Sequence, residues 1–167
     1  MTNTSYQVDR QSPQTAQYFG ENESLRVYPN YTSLAATGLY STTNDLAKFV
    51  LSQMPSSVTG NSAIRIISDA TMAEMRQSIA KVQGLAIWGA GPMLFADNGA
   101  DDFIIGHGGR SPMLNSSARI NPTTGNGFIM LQTGNKKAFS SQMAGQWTLW
   151  ETGHPDIFML RNLLPQM

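Results

Sequence analysis

After Gly84 the chain passes into four apolar runs, 85–95, 102–107, 113–120 and 127–133, each parted from the next by Gly, Asn or Pro. Short apolar runs with turn residues between them read as successive strands. Asn121-Pro122-Thr123-Thr124-Gly125-Asn126 supplies the turn between the last two. The expectation is an antiparallel meander, with Gly89-Ala90-Gly91-Pro92 as a kink inside the first run and not a phosphate loop.

Helices are expected before and after this sheet in the chain, with a helix laid on one sheet face. Ser41 or Thr42 can cap one, Asp45 falls in its first turn as an N-terminal charge, and Leu46, Phe49 and Val50 make a stripe at helical spacing. A second is expected from a Ser68 cap through Met72, Met75 and Ile79, with Gly84 beyond its end. Ser140 or Ser141 can cap a closing helix whose Met143, Trp147 and Trp150 face one way, stopped by Gly153 and Pro155. Residues 1–33 are polar and aperiodic and read as an extended segment that needs a surface to lie on. The fold class expected is α+β, one domain over 1–167, with a loop and helical part at 1–84 and the antiparallel sheet and last helix at 85–167. A chain of 167 residues can hide roughly 68–70% of its unfolded surface. The ten Met residues and Trp88, Trp147 and Trp150 are expected in its core.

Composition narrows the function. Eleven basic and eleven acidic residues leave no net charge, which gives nucleic acid or an anionic membrane nothing to hold. Cysteine is absent, so no disulfide or thiolate metal site can form, and the redox compartment stays open. Two histidines, His107 and His154, far apart in sequence, give no metal-ligand spacing, and neither a metal nor a cofactor is expected. No run approaches 18 apolar residues and the N-terminus lacks a basic region followed by an apolar one, so neither a membrane span nor a signal peptide is expected in the chain as written.

The chemically suggestive stretch is Gly106-His107-Gly108-Gly109. A lone histidine followed by two glycines leaves a strand edge clear of side chains, where a carbonyl or peptide can lie alongside. Together with Tyr28-Pro29, the run Ala35-Ala36-Thr37-Gly38-Leu39-Tyr40-Ser41-Thr42-Thr43-Asn44-Asp45-Leu46-Ala47-Lys48-Phe49, and Asn121 through Leu131, it resembles the serine β-lactamase-like hydrolases. The resemblance is closest to the branch of class C β-lactamases, D-alanyl-D-alanine peptidases and related esterases. Met1-Thr2-Asn3-Thr4-Ser5-Tyr6 looks like a mid-protein segment of that family, so the chain resembles its C-terminal portion.

The resemblance implies roles. The family's nucleophile is a serine in Ser-x-x-Lys, assisted by Tyr-x-Asn or Tyr-x-Ser, and both would lie before Met1. Its Lys-Thr-Gly or His-x-Gly motif matches His107-Gly108-Gly109. His107 would then supply the polar group of that motif, Gly108 and Gly109 would let substrate pack on the strand, and the Arg110 N–H would be one of two oxyanion donors. Periplasm or exterior is implied if the intact protein carries a signal peptide, and cytoplasm otherwise.

Two short patterns compete with this reading. Ser78-Ile79-Ala80-Lys81 spells Ser-x-x-Lys, and Tyr28-Pro29-Asn30 and Tyr31-Thr32-Ser33 spell the second motif. A nucleophilic serine needs a helix N-terminus and a buried lysine one turn on. Ser78 is expected late in its helix, on an exposed turn. A different function, binding a peptide or second chain by strand addition at 103–110, uses the same edge. The partners implied are a small-molecule or peptide substrate of the intact enzyme, and either a second copy or a missing N-terminal half, because an unpaired edge readily pairs.

Overall fold

The computed structural model describes residues 1–19, 31–60, 64–82, 85–97, 102–111, 113–134 and 139–157. Its elements run α1 (Leu34–Thr37), α2 (Thr43–Leu51), α3 (Ser56–Thr59), α4 (Asp69–Met75), β1 (Ala80–Val82), β2 (Leu85–Trp88), β3 (Met93–Asp97), β4 (Phe103–Ser111), β5 (Leu114–Ile120), β6 (Gly127–Thr133) and α5 (Phe139–Thr152). The six strands form one antiparallel sheet in the order β1-β2-β3-β4-β5-β6. The α+β meander expected from the apolar runs is therefore the fold. Its sheet begins earlier than expected, at Ala80.

Strand alternation sends β4 side chains to two separate cores. Phe103 and Ile105 pack with Leu94, Ile120, Val50 of α2 and Met54, while Ile104 packs with Phe95, Ala96, Trp147 of α5 and Ile157. The sheet thus carries a helix on each face. A register shift in β3 between Leu94 and Ala96 lets the consecutive residues Phe95 and Ala96 reach the same core. On the α5 face the buried Arg119 of β5 donates to the Ala144 carbonyl at 3.0 Å and Thr148 Oγ1 at 2.7 Å, and its guanidinium lies 3.9 Å from the Phe95 ring centre.

That charge explains why α5 departs from the apolar stripe expected of it. Its buried residues are Ser140, Ala144, Gly145 and Thr148, small or hydroxylated groups that let the guanidinium approach the helix backbone. Trp147 does pack inward, stacking on Phe128, but Trp150 is 78% exposed and Met143 is also exposed. Ser140 lies inside the first turn, and its N–H donates to Gln132 Oε1 at 3.0 Å. The 121–126 turn closes through the Asn121 N–H to the Asn126 carbonyl, and it docks on α5 where Glu151 accepts from Asn121, Thr124 and Asn126. Methionine is divided as well: Met54 and Met72 are buried, Met1 exposed.

Thr42 caps α2 by accepting from the Asp45 N–H. Val50 is buried as expected, but Phe49 is 45% exposed. Asp45 is more than a first-turn charge, because its buried carboxylate accepts from the Asn3 N–H at 2.7 Å and Thr4 Oγ1 at 3.0 Å. With the Ser5–Tyr40 bridge, these bonds give the N-terminal segment its surface. Helix α4 starts at its Ser68 cap but stops at Met75, short of Ile79. The Met75 carbonyl instead accepts from the Ala90 N–H at 2.8 Å, and the Ile79 N–H donates to the Trp88 carbonyl at 2.9 Å, so the chain is drawn into the sheet.

Candidate active site

The Gly89-Ala90-Gly91-Pro92 stretch is a full reversal between β2 and β3, where a kink was expected. The Gly89 N–H closes it on the Pro92 carbonyl at 2.9 Å. A Cβ on Gly89 would lie 2.1 Å from the Met75 carbonyl oxygen, so this close approach admits only glycine. Because the chain reverses there, β3 begins at Met93 and pairs with β4 only from Asp97↔Phe103 to Met93↔Gly106. Strand β4 runs on to Ser111 paired with β5. Among the described residues its other side is open from His107 to Ser111. The edge expected over 103–110 is thus covered at 103–106, where β3 pairs with it.

Register decides which backbone groups face the open side. Hydrogen-bonded and non-bonded pairs alternate along an antiparallel ladder. The Asn121 N–H to Asn126 carbonyl bond and the Gly134 N–H to Met113 carbonyl bond turn the odd-numbered residues 113–121 of β5 and its flanks toward β6. The even residues Leu114, Ser116 and Ala118 then face β4 and bond to Ser111, Gly109 and His107, their register partners. The N–H and C=O of Gly108 and Arg110 accordingly point away from β5, to the open side.

The side chains leave that edge accessible. His107 is exposed, its Nδ1 lies 2.7 Å from the Gly108 carbonyl oxygen, and its ring meets Trp88 with centres 5.5 Å apart at a tilt of 57°. Gly109 is exposed, and a Cβ there would lie 2.5 Å from Ser116 Oγ. Tyr31 closes the far end, its hydroxyl donating to Ser111 Oγ at 2.8 Å. Sequence reasoning assigned Trp88 to the core. The signal it passed over is position, since Trp88 is the last residue before the Gly89–Pro92 reversal.

The competing serine is placed differently. Ser78 lies in the link between α4 and β1, half-buried, not on an exposed helical turn, and Lys81 is an exposed residue of β1. No helix begins at Ser78, and the helical turn that would join it to Lys81 is replaced by the end of the α4–β1 link and the start of β1. Tyr28-Pro29-Asn30 lies outside the described residues. His154 sits in the turn after α5, its N–H bonded to Thr152 Oγ1 at 3.0 Å. Among the described residues no three His, Cys, Asp or Glu side chains gather as a metal site, and no helix is long and apolar enough to cross a membrane.

A family model described as Beta-lactamase matches residues 1–148. Comparisons with curated proteins and with solved structures gave no significant match.

Proposed function

This chain belongs to the Beta-lactamase family, and on that premise we propose that it supplies the substrate-binding strand of an acyl-serine hydrolase of the class C β-lactamase, D-alanyl-D-alanine peptidase and esterase branch. The observation that carries this reading is the open half of β4, where the Arg110 N–H faces outward beside His107 and the bare Gly109 backbone. An amide or ester carbonyl laid along the edge would accept from the Arg110 N–H. Gly108 and Gly109 leave room for it, and His107 offers a polar contact to the rest of the substrate.

One donor is half of an oxyanion hole, and losing one of two costs roughly 10²–10³ in rate. The nucleophile is the larger gap. Neither Ser78 nor Lys81 has the setting that activates a serine, so on this reading the Ser-x-x-Lys motif is supplied by an N-terminal half that is not among residues 1–167. The chain alone is then inactive. Purified chain should hydrolyse neither a chromogenic cephalosporin nor a short-chain nitrophenyl ester above buffer, and adding a Ser-x-x-Lys-bearing N-terminal half should restore turnover. Turnover by the chain alone that disappears in Ser78→Ala would overturn this reading.

The open groups of Gly108 and Arg110 also favour a second reading, a binding module that takes up an extended peptide by strand addition. Complementation separates the two, because a module gains no turnover. In either case the uncharged edge strand β6 and the exposed Phe139, Met143 and Trp150 of α5 support association with a second copy or with the N-terminal half. Light scattering should rise in apparent mass with concentration.

A further inference from the structure

His107 Nδ1 and the Gly108 carbonyl oxygen are 2.7 Å apart. A carbonyl oxygen can only accept, so the neutral ring carries its proton on Nδ1 and keeps the lone pair on Nε2. An unconstrained histidine prefers the opposite form. Something must therefore hold the ring over its own neighbour's carbonyl, and His107 is exposed, with no packed shell to do so.

Trp88 is the neighbour placed to do it. Its ring meets the imidazole at 5.5 Å with a tilt of 57°, an edge-to-face type of aromatic contact. Trp88 is itself fixed at the end of β2, its carbonyl accepting from the Ile79 N–H at 2.9 Å and its backbone in register with Met93. The indole is half-buried, whereas the imidazole is exposed, so the indole is the anchored partner.

We propose that Trp88 is a positioning residue that, together with the Gly108 carbonyl, holds His107 in the Nδ1–H form. This rests on reading the open half of β4 as the substrate edge. Nε2 is then the atom left for a ligand, and while the ring is neutral it accepts from a hydroxyl or amide N–H and does not bind a carboxylate. The substrate group that meets His107 is accordingly a hydrogen-bond donor.

The test is the tautomer itself, read by long-range proton–nitrogen correlation on the full chain labelled at histidine, at a pH where the rings are neutral. His154→Gln assigns the two rings, and His154, exposed and with only backbone hydrogen bonds among the described residues, serves as the reference. In the wild type, His107 should be mainly Nδ1–H. Trp88→Leu should shift it toward the ratio of His154, and Trp88→Phe should keep most of the bias. A wild-type His107 in the Nε2–H form, or a Trp88→Leu protein with the wild-type ratio, overturns the proposal. If the backbone spectrum of Trp88→Leu has lost the sheet, Trp88→Phe decides, and complete loss of bias there is equally contrary. No turnover is read, so this inference can fail while the hydrolase reading stands, and the reverse.

Discussion

Arg119 and Asp156 form an ion pair of 2.7 Å with side chains only 2% and 1% exposed. Burial lowers the pKa of the Arg119 guanidinium and the Asp156 charge works against that shift, so the carboxylate is what keeps a cation inside the protein. Removing one partner of a buried pair leaves the other charge uncompensated, at a cost of about 3–5 kcal/mol. Asp156→Ala should lose stability of that order in urea denaturation. A loss below about 1 kcal/mol, the scale of a surface pair, would contradict the role given to this contact.

Acid should loosen the N-terminal segment and the α3–α4 corner. At Asp45, burial pushes the carboxyl pKa up, but hydrogen bonds from the Asn3 N–H, Thr4 and Lys48, with the Lys48 charge, outweigh it and hold it below the ordinary value. At Asp69, the Ser56 hydroxyl and N–H lower the pKa, burial opposes them, and Arg65 and Arg76 lower it further. Both groups bind protons less readily folded than unfolded. Their stabilisation is thus complete above the unfolded value of about 3.9 and is lost as pH falls through the lower folded values. Melting temperature followed against pH should drop in that acid window, and Asp45→Asn and Asp69→Asn should each flatten the drop. An unchanged acid profile in both variants would contradict this.

Two glycines of β4 should behave oppositely. A Cβ on Gly106 would lie 2.0 Å from the Ala118 carbonyl oxygen, whereas one on Gly108 finds only the Ser116 carbonyl oxygen at 3.7 Å. Backbone cannot yield as a side-chain tip can, so Gly106→Ala should cost at least about 1–3 kcal/mol by overpacking. Gly108→Ala should stay within about 0.5 kcal/mol of wild type. Thermal denaturation of the two variants checks the contrast, and equal costs would contradict it.

The meander was legible because its apolar runs are short and its turns carry Gly, Asn and Pro, signals that act locally. The Ser68 and Thr42 caps were legible for the same reason. What escaped depends on distant partners. Helix α4 ends because Ala90 takes the Met75 carbonyl, and α5 buries Ser140 and Thr148 because Arg119 reaches it from β5. Neither partner is within reach of a periodicity argument. At the candidate site, the motif at 106–109 marked the strand, but the length of its open edge is set by the reversal at Gly89–Pro92, which read as a kink. Trp88 was missed because an aromatic at a strand end reads as core.

Amide hydrogen exchange along β4 tests the open edge most directly. The Arg110 and Gly108 N–H groups should exchange fast and those of His107 and Gly109 slowly, an alternation that follows from bonding to β5 on one side alone. Protection of the Arg110 N–H as strong as that of Gly109 would mean that this donor is already occupied, and would contradict its assignment to a substrate oxygen.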